Sequence, residues 1–422
     1  MQTTLAPEYQ GTPDGLAAQA ILGKCVHCGF CTATCPTYQL LGDELDGPRG
    51  RIYLMKQVLE GQAPTRSTQL HLDRCLTCRN CESTCPSGVD YGHLLDIGRK
   101  LVDAKVPRPM PQRMLRWALK EGLTSPLFAP ALRLGQLLRP LLPAALKNKV
   151  PVRQNAGAMP ERSHARKVLM LAGCVQPAMA PNINSATARV LDAAGIQTLV
   201  ASQAGCCGAV KFHLNDQAGG KAQMRANIDA WWPFIEPGPG STLAETEGAG
   251  VEAIVMNASG CGVTVKDYGH LLQDDPQYAA KAARVSALTQ DLSEYLPQLV
   301  GALRGKVHVQ GQPALVFHPP CTLQHGQQLR GGVEQHLQAL GFSVRMAAVE
   351  SHLCCGSAGT YSVLNPRLAY QLRDRKLGHL QAQPQEVIIS ANVGCITHLQ
   401  SGTQVPAKHW VEVLDAALRP GA

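Results

Sequence analysis

The sequence predicts an α+β multidomain chain: a helical N-terminal domain, then a tandem repeat of two α/β units, each on a parallel sheet. Three observations carry that prediction. The sixteen cysteines fall into two groups of eight, one before residue 90 and one after residue 170. The first group sits in two copies of one short loop motif, with helical patterning between them. The second sits at the ends of apolar, strand-like runs that occur twice. At 422 residues the chain has room for about three domains.

Composition narrows the class. Hydrophobic residues make up 45% and charged residues 17%, as in a globular protein. Mean hydropathy is −0.08, and no apolar run reaches the ~20 residues of a spanning helix. The opening MQTTLAPEYQGTPDG has neither the basic nor the apolar segment of a secretory signal, so the expected location is cytoplasmic. There the cysteines are expected to serve metal or redox chemistry, not a disulfide framework.

Residues 1–105 hold the first cysteine group. CVHCGFCTATCP from Cys25 and CLTCRNCESTCP from Cys75 are both C-x2-C-x2-C-x3-C-P. Three cysteines spaced by two residues let one loop wrap three corners of an iron–sulfide cubane. The fourth opens a following helix and reaches the other cluster. A proline suits that helix start, where no N–H is needed. Cys25, Cys28, Cys31 and Cys85 are thus assigned to one [4Fe-4S] cluster, and Cys75, Cys78, Cys81 and Cys35 to the other. Structural zinc uses separated pairs, which this pattern is not. The domain is expected to be α-helical and ferredoxin-like, with two clusters. The insert between the motifs reads as a helix after Gly50, with Ile52, Leu54, Met55, Val58 and Leu59 on its apolar face. Arg49 and Arg51 follow the first loop. Cations there would favour a reduced cluster, although solvated loop charges are the plainer reading.

Residues 106–163 read as a basic, Pro-rich connector. Residues 106–154 carry nine Lys/Arg against one acid, Glu121, and eight prolines exclude a single long helix. Short amphipathic pieces are expected at Met114–Leu119 and Leu132–Leu142. Such segments can lie on an anionic membrane surface or an acidic partner, which would make the chain peripheral on the cytoplasmic face of the inner membrane. The alternative is a linker whose apolar side packs on its own two domains.

The duplication occupies 164–305 and 306–422. Each copy has a strand ending near a cysteine: Val168–Leu171 before Cys174, and Leu315–Phe317 before Cys321. Each then has a helix ending at glycine (Gly195, Gly341), a β-rich run and Cys-Cys-Gly (Cys206, Cys207, Gly208; Cys354, Cys355, Gly356). A further strand leads to Cys261 or Cys395. The first copy also carries an extra loop, PGPGSTLAETEGAG. In parallel sheets ligands gather at the carboxyl ends of strands, so each copy is expected to converge its four cysteines there as a metal or redox site. Glycine after the cysteine pair permits close approach to a ligand.

The segments CVHCGFCTATCPTYQLLGDELDGPRGRIYLMKQVLEG, HLDRCLTCRNCESTCPSGV, SGCG and SHLCCGSAGTY resemble the glycolate oxidase iron–sulfur subunit family, from about residue 20 to the C-terminus. Cys-Cys-Gly repeats are shared more widely, with lactate-oxidation iron–sulfur proteins and with subunits of anaerobic glycerol-3-phosphate dehydrogenase and heterodisulfide reductase. The resemblance implies a heteromeric enzyme whose flavin-containing subunits oxidise glycolate to glyoxylate. This chain would be its electron-transfer subunit, passing electrons toward membrane quinone and not catalytically sufficient alone. It implies two [4Fe-4S] clusters and a further Fe–S or zinc site in the repeats, with no catalytic residue and no nucleic-acid role. No GxGxxG or P-loop is present to bind a dinucleotide or nucleotide. The alternatives are the iron–sulfur subunit of a related lactate or glycerol-3-phosphate dehydrogenase, or a thiol–disulfide subunit like heterodisulfide reductase. The fuller motif of the wider group ends in C-x-x-C, whereas this chain has Cys261-Gly-Val-Thr264 and Cys395-Ile-Thr-His398. Thr264 and His398 are expected beside their cysteine sets. His398 would then be either a nitrogen ligand or an ordinary satisfied histidine.

Overall fold

The computed structural model describes residues 1–141, 143, 150–236 and 250–419. The N-terminal domain is built from α1 (Pro13–Lys24), α2 (Phe30–Ala33), α3 (Pro36–Leu41), α4 (Pro48–Leu59), α5 (Arg66–Asp73), α6 (Asn80–Thr84) and α7 (Tyr91–Lys105). Its core is the meeting of α1, α4 and α7 through Leu22, Met55, Leu59, Leu94 and Leu95. Helix α4 buries Ile52, Met55, Val58 and Leu59 at helical spacing and leaves Leu54 half-exposed. Each cysteine loop feeds a short helix, α2 or α6, and these two helices pack together. Cys35 caps α3 as expected. Cys85 does not open a helix: a turn through Ser87 and Gly88 (φ +62°) delays α7 to Tyr91.

The connector forms α8 (Met110–Thr124) and α9 (Phe128–Leu138), closed by a 3-10 turn at Arg139–Leu141. Helix α8 is longer than the expected Met114–Leu119 and α9 starts four residues before the expected Leu132, because Pro111 and Pro130 fall in first turns, where proline is tolerated. Leu142 lies outside the described residues. Neither helix buries a residue. The cations of α8 turn inward: Arg116 pairs with Asp73 at 3.0 Å and Lys120 with Asp216 at 2.9 Å. Met114, Trp117, Leu134 and Leu137 face outward, Trp117 being 64% exposed. The apolar side is thus only partly packed on the flanking domains: Leu119, Leu123, Phe128 and Leu132 are half-buried, and the rest faces out. At α8 those domains offer acids, and the acids take the inward cations.

Each repeat carries four parallel strands. β1 (Arg166–Met170), β2 (Ile196–Leu199), β3 (Ala253–Met256) and β4 (Thr289–Asp291) run in the order β2-β1-β3-β4. β5 (Leu315–Phe317), β6 (Val344–Met346), β7 (Val387–Ser390) and β8 (Ala407–His409) repeat it as β6-β5-β7-β8. The middle strands are mostly apolar because both sheet faces are covered; β3 and β7 are wholly buried, whereas β1 opens on the polar Arg166 and Lys167. Helices Asn182–Ala193 and Leu292–Leu303 of the first repeat pack on Trp410–Ala416 and Gly332–Ala339 of the second. One core, including Val168, Val255, Leu296, Phe317, Ile389 and Trp410, runs through both. The extra loop of the first copy lies outside the described residues except for Gly250.

Candidate metal centres

The two N-terminal loops cross. Cys25, Cys28 and Cys31 line one cleft with Cys85, and Cys75, Cys78 and Cys81 line another with Cys35. Tyr91 and Cys81 border both. The residues flanking the second cysteine adopt left-handed backbone in both loops: His27 (φ +57°) and Gly29 (φ +85°), Thr77 (φ +53°) and Arg79 (φ +57°). Three of the four are not glycine, and each costs about 1–2 kcal/mol. Such conformations persist where the surroundings over-determine them, and alternating handedness turns backbone N–H groups into a concavity suited to anions. The Thr77 N–H donates to Cys75 Sγ at 3.5 Å.

Burial pushes the Cys31 thiol up to about 11, with Cys25, Cys85 and Cys28 adding to it. Burial likewise raises Cys78 and Cys81. Free thiols here would stay protonated, whereas bound metal holds them as thiolates. Four converging sulfurs per cleft, with inward N–H groups, fit [4Fe-4S] ligation. Arg51 is fully buried at the second cleft, donating to His71 O (2.7 Å) and Thr37 Oγ1 (3.1 Å). Arg49 sits over Gly29 at the first cleft and pairs with Glu44 at 2.7 Å. Both arginines thus belong to the cleft walls, and the reading as solvated loop charges fails for Arg51.

In the repeats the cysteines converge beyond the strand ends. Cys174 contacts Cys206, and Cys207 contacts both Cys206 and Cys261. Cys206 is held low because the Cys174 and Cys207 thiols donate to it, aided by the Gly208 and Val210 N–H groups. In the second repeat Cys321 Sγ lies 3.8 Å from Cys354 Sγ, and Cys355 joins Cys354 to Cys395. A π-helical turn, Thr322–Gly326, follows Cys321; such turns are frequent at functional sites. None of the sixteen cysteines is in a disulfide.

Gly208 (φ +93°) and Gly356 (φ +89°) adopt left-handed backbone that packs closely on the protein itself. A Cβ would stand 2.9 Å from Gly220 O and 2.4 Å from Ala369 O. The glycines let the Cys-Cys turns nest on a neighbouring helix. Thr264 is one turn past Cys261 and donates to Gly260 O at 3.0 Å. His398 is one turn past Cys395, but its Nε2 is 3.1 Å from Ala369 O and its ring stacks on Tyr370. Of the two alternatives for His398, the geometry favours the ordinary satisfied histidine.

Two residues the sequence reading missed sit at the second set. His318, fully buried at the end of β5, brings a ring nitrogen within 4.8 Å of the Cys355 and Cys395 sulfurs. Its only signal was its place three residues before Cys321. Lys376, buried, donates to Glu350 O (2.6 Å) and Ser351 O (3.3 Å) beside Cys355, Cys354 and Cys321.

The sets adjoin one another. Leu76 and Cys78 of the second N-terminal loop pack into one apolar cluster with Cys321, Cys354 and Tyr361. The helix starts that carry Cys261 and Cys395 touch through Ser259 N–H to Ala391 O at 3.0 Å.

Comparison with known proteins fits this arrangement. Residues 21–89 match the 4Fe-4S dicluster domain family, and residues 168–266 and 315–400 each match the cysteine-rich domain family. The chain is 53% identical over 420 residues to the glycolate oxidase iron-sulfur subunit of Escherichia coli K12, covering 99% of both chains. The chain belongs to the glycolate oxidase iron–sulfur subunit family. A probable glycolate oxidase iron-sulfur subunit of Bacillus subtilis 168 is 27% identical over 416 residues, 90% of this chain and 89% of that one. Lactate utilization protein A of Bacillus velezensis is 25% identical over 261 residues, 99% of its own length but 59% of this chain. Full-length agreement thus separates the glycolate oxidase relatives from the lactate one. Iron–sulfur binding follows from the dicluster and cysteine-rich domains, and no helix of the described residues is long and apolar enough to cross a membrane.

Proposed function

We propose that this chain is the electron-transfer subunit of a glycolate-oxidising complex, taking electrons from flavin-containing partner subunits and passing them toward membrane quinone. The observation that carries this is the full-length 53% identity to a glycolate oxidase iron-sulfur subunit. Cys25, Cys28, Cys31 and Cys85 would hold one [4Fe-4S] cluster and Cys75, Cys78, Cys81 and Cys35 the second, with a further Fe–S or zinc site in the repeats. Such clusters supply one-electron redox states when bound. The chain's own residues support the role. Cys81 borders both clefts, and Cys78 packs with Cys321 and Cys354, so the two cleft sets and the second-repeat set adjoin in series. Arg51, Tyr91 and Leu76 wall the second cleft and limit water there. Beside the first cleft Val26 and Phe30 stand 68% and 62% exposed, an apolar rim suited to a partner subunit. The outward apolar side of α8 and α9 would seat the complex on the cytoplasmic membrane face.

The test is reconstitution. The chain alone should not reduce a quinone analogue with glycolate, and adding the flavin subunits should start that reaction. Glycolate-dependent reduction by the single chain would overturn the reading, as would flavin subunits that reduce the quinone analogue equally well without it.

A further inference from the structure

We propose that the His318 imidazole is a ligand to the metal held by the second-repeat cysteines, making that site a mixed thiolate–imidazole centre. The inference rests on the reading that these cysteines bind metal. His318 is fully buried, and among the described residues neither ring nitrogen has a hydrogen-bond partner. A buried imidazole without partners is costly and calls for a bonding group at the ring. The groups at hand are sulfurs: its ligand atom and those of Cys355 and Cys395 all lie within 4.8 Å of one another.

The backbone fixes this placement. The His318 N–H donates to Ile389 O at 2.8 Å, and its carbonyl accepts from Ser390 Oγ at 3.0 Å. Both partners belong to β7, the strand that leads to Cys395. Imidazole nitrogen and thiolate sulfur together ligate iron in Rieske-type clusters and zinc in structural sites. The first repeat has no counterpart: the residue three before Cys174 is Leu171, buried in its own core. The two repeat sites therefore differ, one with thiolates alone and one with an imidazole. Near the second, the ammonium of Lys376 offsets thiolate charge.

The test uses the full chain, purified anaerobically and reconstituted with ferrous iron and sulfide, or separately with zinc. Metal per chain is counted, with histidine nitrogen coupling read by electron–nuclear double resonance on 15N-histidine protein and zinc ligation by X-ray absorption. Wild type should show nitrogen ligation in one arm. H318A should lose it along with the repeat's metal, and H398A should keep both. H318C should keep the metal with sulfur replacing nitrogen, which separates loss of a ligand from misfolding. Metal present without histidine nitrogen, or coupling unchanged in H318A and H318C, would overturn the proposal while leaving metal binding intact. No metal beyond that of the two N-terminal clefts in either arm would overturn both.

Discussion

A cluster bound by four thiolates depends on all four, so each cleft cysteine is tied to its three neighbours. Because Cys35 and Cys85 cross between loops, the damage from losing one should appear at a distance in sequence. Cys35→Ser should impair the cluster of the Cys75 loop, and Cys85→Ser that of the Cys25 loop. Mössbauer or EPR signatures of the two variants check this, and loss of the local cluster in each would contradict it. At this scale the grouping of the eight N-terminal cysteines into two crossed clefts was legible, because cubane-type motifs are set by local spacing. His318 was not, because a lone histidine has no periodicity. His398 occupied the position where a missing cysteine drew attention. Only folding separates them: one ring meets a carbonyl and Tyr370, while the other has no hydrogen-bond partner among the described residues.

Between elements, charge does much of the joining. His93 of α7 lies between Asp90 (2.8 Å) and Asp267 of the first repeat (2.9 Å), stacked on His270. Burial opposes its charge, but the two carboxylates win and raise it from 6.5 to about 10. The charged form is favoured by the fold, so its stabilisation is complete below about pH 6.5, declines as pH rises, and is gone above about 10. Thermal unfolding of wild type should therefore weaken from pH 7 to 10 more than that of His93→Gln. Equal pH slopes would contradict this account of the joint. The outward apolar side of the connector makes a second prediction: Trp117→Ala should weaken sedimentation with anionic vesicles several-fold while leaving cluster content unchanged. Helix α4 was legible from its apolar spacing. The connector's orientation was not, because it depends on acids, Asp73 and Asp216, that lie on other segments.

Across the whole molecule, the duplication was readable as repeated strand–cysteine units, and the matching strand orders follow from it. The shared core was not readable, since each amphipathic helix says only that it buries a face. Trp410 of the second repeat donates to Ser293 Oγ of the first at 3.3 Å and is fully buried. Trp410→Ala should cost about 3–5 kcal/mol. It should lower one common unfolding transition of both repeats in calorimetry, whereas two separable transitions would contradict a shared core. Similarity to a glycolate oxidase subunit along 99% of the chain and the adjoining thiol sets together make the central claim that electrons from glycolate pass through this polypeptide. The direct measurement is anaerobic addition of glycolate to the reconstituted chain, alone and with the flavin subunits, with reduced clusters quantified by EPR. Reduced clusters should appear only when the flavin subunits are present. Clusters that remain oxidised in the complete complex while glycolate is consumed would contradict the claim.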